Sequence, residues 1–145
     1  MTKNSSVADI IKYLTTLINS MEVIPTAGTL PSYAKLKESP DKFYEMFSEA
    51  TYKYNIICDT LQKLQHAHAV IIRVMSELQD NVSSREPYSS RAQYIKTLTS
   101  IKASCMALIN AYETAKASAE SIVKYYNNAQ FVITSSRFDS TSAAY

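Results

Sequence analysis

Two stretches of this chain step through apolar and aromatic residues at unbroken alternating intervals of four and three. The first runs Phe43, Phe47, Ala50, Tyr54, Ile57, Leu61, Leu64, His68, Ile71, Met75, Leu78, and the second Tyr94, Leu98, Ile101, Cys105, Leu108, Tyr112, Ala115, Ala119, Ile122, Tyr126. A repeat averaging about 3.5 residues keeps one side of a helix against a partner only if the two wind left-handedly around each other. The spacing therefore predicts two long helices that share one seam.

Composition points the same way. Gly28 is the single glycine in 145 residues, and tight turns, hairpins and phosphate-cradling loops all depend on that residue. Sheet-rich folds, dinucleotide sites and P-loops are thereby disfavoured, which leaves an all-α chain. Its length suits one domain, residues 1–145, with a real core. The charge is close to balanced, 15 basic against 13 acidic side chains, so no global field demands nucleic acid as partner. No apolar run approaches the ~20 residues of a membrane span, and Lys3, Asp9 and Lys12 interrupt the start where a signal peptide would be apolar. A cytoplasmic protein is the expectation. Cys58 and Cys105 both fall within expected helices, where a small buried hydrophobe is the usual role.

Three helices and a tail follow from the local signals. Ser6 with Asp9 forms a capping box that opens a helix over residues 6–22, whose apolar face is Val7, Ile10, Ile11, Leu14, Leu17, Ile18 and Met21. Pro25, Gly28 and Pro31 mark a loop over 23–38. Ser39 and Pro40 then start a helix over 39–81, and Ser90 with Gln93 caps a third over 90–127. Residues 128–145, with the β-prone run Phe131-Val132-Ile133-Thr134, read as an extended or flexible tail. It is either a frayed terminus or an arm that orders on a neighbouring subunit.

The short connector makes the two long helices antiparallel neighbours. Seam positions then face one another when their numbers sum to 172 or 173, which places Leu78 by Tyr94, His68 by Cys105 and Leu61 by Tyr112. Large meets small further along, in Ile57 with Ala115, Tyr54 with Ala119 and Ala50 with Ile122, an alternation that lets side chains interdigitate. Beside the seam runs a second apolar stripe of Met46, Ala67, Val70 and Val74 with Ile95, Ile109 and Val123. The N-terminal helix is its expected cover, and being shorter it leaves some of the stripe for a partner or a second copy. The expected architecture is a helical bundle, a long coiled-coil-like hairpin with a shorter helix packed on it.

Candidate chemistry is sparse. His68 and Cys105 share a seam layer, but two ligands are too few for a metal, and His66 and His68 lie two apart and point to opposite sides of a helix. No nucleophile, base and carboxylate converge, and a smooth hairpin offers no cleft to perturb them. No catalytic, cofactor or metal residue is therefore assigned. Between Glu86 and Glu113 there is no acidic residue, whereas Arg85, Arg91, Lys96 and Lys102 bias the hairpin tip positively. That bias reads either as a solvated face or as a contact for an acidic partner or nucleic acid. Eleven tyrosines accompany four phenylalanines and no tryptophan, and several, among them Tyr33, Tyr44, Tyr52, Tyr88 and Tyr125, fall off the seam. Rigid amphipathic rings outside a core are favoured at interfaces. The candidate contacts are thus Arg85, Tyr88, Arg91, Lys96 and Lys102 at the tip, Tyr33, Tyr44 and Tyr52 at the opposite end, and Phe131 and Phe138 in the tail.

The stretch Cys58-Asp59-Thr60 through Lys63 to His66-Ala67-His68-Ala69-Val70-Ile71-Ile72-Arg73-Val74-Met75-Ser76, set in this helical layout, resembles the small helical-bundle proteins of archaeal two-tailed, spindle-shaped viruses. The family includes virion proteins and a relative that blocks the host RNA polymerase in its DNA-binding channel. The resemblance implies a viral, non-enzymatic binder acting in the host cell as a rigid wedge on the polymerase. The alternative it carries is a virion subunit that self-assembles through the hairpin and tail. It carries over no site residue.

Overall fold

The computed structural model describes residues 6–21, 30–80 and 88–143, with side chains for 6–21, 30–80 and 90–134. The described chain is all-α, ordered α1 (Val7–Asn19), α2 (Tyr33–Glu38), α3 (Pro40–Gln79) and α4 (Tyr88–Ala143). It is a helical bundle in which α3 and α4 pack together and a shorter helix packs on them. No described helix is long and apolar enough to cross a membrane.

Local chemistry sets the helix ends. The Ser6 hydroxyl accepts the Asp9 N–H at 3.2 Å and satisfies a donor that the first turn of α1 leaves free. At the other end the Ser20 N–H closes onto the Thr16 and Leu17 carbonyls at 3.1 and 3.2 Å, and its hydroxyl donates to Leu17 at 2.7 Å. That local competition stops the helix three residues short of 22. The expected loop over 23–38 contains a helix: Ser32 accepts the Lys35 N–H at 3.3 Å and caps α2, which buries Leu36. Pro40 then separates α2 from α3. A residue before proline is pushed out of the helical region, and Ser39 sits at φ −143°, ψ 87°. Its carbonyl still accepts the Phe43 N–H at 3.0 Å and so begins α3.

The largest departure from expectation is the tail. Helix α4 does not end near 127 but continues to Ala143, and it begins at Tyr88, so Ser90 lies inside its first turn. The cause is the seam, whose four-three alternation runs on from Tyr126 through Ala129 to Ile133. Ala129 is fully buried, and Ile133 packs against the cluster of Leu36, Phe43, Tyr126 and Ala129. Packing thus overrides the β-propensity of Phe131-Val132-Ile133-Thr134, a preference worth only a few tenths of a kcal/mol per residue.

The chain divides into two compact units, Met1–Val23 with Asp59–Glu113 and Ile24–Cys58 with Thr114–Tyr145. Each pairs one half of α3 with the opposite half of α4, the antiparallel arrangement read from the heptads. In the first unit the seam buries Leu61, Leu64, Ile71, Leu78, Leu98, Cys105 and Tyr112, and α1 adds Ile10, Leu14 and Ile18. In the second it buries Phe43, Ile57, Ala115, Ala119, Tyr126 and Ala129, with Leu36 of α2.

The second stripe proves to be two. In an antiparallel pair, positions just before the seam on one helix face positions just before it on the other, and positions just after face positions just after. Ala67 and Val74 precede seam residues, whereas Ile95 and Ile109 follow them, so the two sets lie on opposite flanks of the first unit. Helix α1 takes the flank of Ala67, Val70 and Val74.

Candidate protein-binding surfaces

The second unit carries an aromatic surface. Tyr44, Ser48, Thr51 and Asn55 recur at helical spacing on α3 beside the seam, and together with Tyr52, also on α3, and Gln130 of α4 they line a shallow groove of about 440 Å³. Tyr44 is 51% exposed and Tyr52 65%. Phe47 also lines the groove; it packs against Phe43 at 5.9 Å, and Phe43 lies 5.2 Å from Tyr44. The floor is therefore rigid while the rings are accessible. Thr51 donates to the Phe47 carbonyl at 3.0 Å, which satisfies its hydroxyl without drawing on the groove.

The remaining candidate contacts are scattered. Tyr33 is half-buried against Tyr125 at 5.1 Å, and the Tyr125 hydroxyl donates to the Pro31 carbonyl, so this pair holds α2 onto α4. Phe131 is 74% exposed, yet it lies two residues past buried Ala129. At about 3.6 residues per turn that puts it on the side of α4 away from the seam and the groove. In the first unit Lys96 is exposed while Arg91 and Lys102 are half-buried. Arg85 lies outside the described residues, as do the side chains of Tyr88 and Phe138. The structure thus joins Tyr44 with Tyr52 and adds Ser48, Thr51, Asn55 and Gln130, which sequence reading passed over. The i, i+4, i+7, i+11 spacing from Tyr44 was the available signal.

The hairpin is not smooth. Between α1 and α3 the first unit holds a groove of about 860 Å³, with Leu14 and Val74 in its floor and Asp59, Lys63, Arg73 and Glu77 among its walls. Hollows of about 390 and 170 Å³ flank Leu30 and Met46 in the second. The smaller is bordered by Ala50 and Ala119, whose short side chains do not fill the space beside the seam.

Titratable chemistry is turned toward neutral forms. Burial pushes the Cys105 thiol up, and its Sγ donates to the Leu64 carbonyl at 3.4 Å. A hydrogen bond with Cys58 raises Tyr54, with the Cys58 charge, burial and Glu120 acting in the same direction. Burial raises Tyr125 and Tyr126, each further by a neighbouring tyrosine. A group held protonated in this way is a poorer nucleophile or base near neutral pH. His68 is half-buried in the seam, and its Nε2 is buried without a hydrogen-bond partner among the described residues. No group of three or more potential metal ligands occurs among them either.

Comparison with protein-family models, with curated proteins and with solved structures gives no match, so the geometry of these surfaces carries the functional reading.

Proposed function

We infer that this chain is a non-enzymatic protein-binding module that engages its partner through the aromatic groove of the second unit. The observation that carries this is the pairing of two largely exposed tyrosines, Tyr44 and Tyr52, over a packed aromatic floor. Exposed rings on a rigid element bury large area on binding and lose little side-chain entropy, which is why aromatic residues dominate binding hot spots. Surrounding Ser48, Thr51, Asn55 and Gln130 supply an uncharged polar rim. On the strength of the viral resemblance we propose a host RNA polymerase as that partner.

The test is a titration of purified archaeal RNA polymerase with the chain, read both as binding and as loss of promoter-dependent transcription. Replacing Tyr44 and Tyr52 together with Ala should weaken both by at least about 30-fold, the equivalent of one ~2 kcal/mol hot spot. Helicity should be unchanged, because both rings lie off the seam. If the chain instead forms concentration-dependent assemblies that the double variant dissolves, and the polymerase is unaffected, the virion-subunit reading replaces this one.

A further inference from the structure

The outer side of α3 in the first unit repeats the spacing of the seam with different chemistry. Asp59, Lys63, His66, Val70, Arg73 and Glu77 step by fours and threes, and all six line the groove of about 860 Å³ between α1 and α3. Such a step keeps one stripe against a neighbouring helix over its whole length. Apart from half-buried Val70, the six are exposed. The facing wall is α1, where Tyr13 is 50% exposed and Leu17 half-buried. One wall is thus apolar, and the other carries charges in the order minus, plus, plus, minus.

These four charges are uncommitted. The second unit holds two ion pairs between residues one turn apart, Glu49 with Lys53 at 3.4 Å and Glu120 with Lys124 at 3.7 Å. Asp59 with Lys63 and Arg73 with Glu77 have the same spacing, yet none of these four makes an ion pair or side-chain hydrogen bond among the described residues. The Asp59 side chain is one methylene shorter than glutamate, and in Arg73 with Glu77 the base precedes the acid, the less favourable order on a helix. We propose that this groove docks an amphipathic helix of a partner protein. Its apolar side meets Tyr13, Leu17 and Val70, and its charges run plus, minus, minus, plus against Asp59, Lys63, Arg73 and Glu77. Nucleic acid is repelled by the carboxylates at both ends, and two cations are few beside the roughly 6–10 phosphate contacts of a salt-dependent duplex binder. A second copy laying the same stripe on this one sets like charges together in either direction, Lys63 on Arg73 when antiparallel and each on its own counterpart when parallel. The proposal rests on the first unit and stands apart from the aromatic groove.

The probe is a fluorescein-labelled helical peptide of about 24 residues, long enough to span Asp59 to Glu77 at about 1.5 Å per residue. It carries Lys, Glu, Leu, Leu, Glu and Lys at four-three steps beside a leucine stripe, and is compared with the sign-reversed helix and with a DNA duplex of about 20 bp. The matched helix should bind saturably and at least about tenfold tighter than the reversed one, a gap that narrows as salt is added. Lys63→Glu with Arg73→Glu should erase that preference, and adding Asp59→Lys and Glu77→Lys should invert it. All four positions are exposed, so helicity should hold. Tyr13→Ala should weaken both helices, whereas Tyr44→Ala with Tyr52→Ala should change neither. In the wild-type chain the matched helix should shift the methyl resonances of Leu17 and Val70, a readout that needs no variant. Four results overturn the proposal: no saturable binding, no preference between the two helices, tighter binding of the duplex, or methyl shifts at Ile72 and Ile95 instead.

Discussion

Phe47 stacks on Tyr126 with ring centroids 6.1 Å apart and planes at 20°. The two are a facing seam pair in the register deduced from the heptads, and Phe43 lies 6.1 Å from the same tyrosine. Tyr126 is thus the ring on which two turns of α3 converge, and it is buried to 4% exposure. Tyr126→Ala should cost about 3–5 kcal/mol, as large-to-small changes of buried aromatics do. Phe47→Leu, at a half-buried position, should cost less than half of that in urea unfolding followed by circular dichroism.

The continuation of α4 depends on Ala129 and Ile133. Ala129→Arg forces a charge into a site with no exposure and should destabilise the second unit by several kcal/mol. Amide hydrogen exchange of residues 122–134 reports it: strong protection in the wild type, and loss of that protection in the variant. Fast exchange in the wild type would contradict the helix.

His68 occupies a seam position that the register sets opposite Cys105, and its Nε2 is buried without a partner among the described residues. Such a group costs about 1–3 kcal/mol. His68→Leu should therefore keep or raise the melting temperature and leave binding at the aromatic groove unchanged. A fall in Tm accompanied by loss of stoichiometric zinc would instead make the imidazole a ligand.

Alkaline pH should loosen the fold in a defined order. The Cys105 thiol is raised by burial from an ordinary value of 9.0. The hydroxyls of Tyr54, Tyr125 and Tyr126 are raised from 10.0, the first by its hydrogen bond with Cys58 and the other two by burial. In each case the unfolded chain ionises first, so their stabilisation is complete below those ordinary values and is lost as pH climbs through the raised ones. Tm should be flat in this respect up to about pH 9 and fall above it. Cys105→Ala should remove the earliest part of the fall while the tyrosine part remains.

What the sequence made legible was whatever repeats. The seam, its register and the antiparallel pairing follow from a pattern that one misplaced residue would have broken, and Phe47 on Tyr126 agrees with it. Ala129 and Ile133 belonged to that pattern too, but the intervening β-branched residues and the serines beyond masked it. Helix α2 is one and a half turns long and amounts to a cap at Ser32 and one buried residue, Leu36, too short for periodicity to register. Which flank α1 would choose was not encoded locally, because Ala67 with Val74 and Ile95 with Ile109 are equally apolar. Of the candidate contacts, Tyr44 and Tyr52 stood out by lying off the seam. Tyr33 did so as well, and only its meeting with Tyr125 and the Pro31 carbonyl shows that ring committed within the fold.

The division of the chain into units dictates an order of assembly. Residues 59–113 of the first unit form a hairpin closed by a short connector, whereas the parts of α3 and α4 in the second unit are separated in sequence by that entire segment. Closing a loop costs chain entropy that grows with its length, and contacts between distant segments form late for that reason. The hairpin of the first unit should therefore close before the second unit, whose aromatic groove should be completed last.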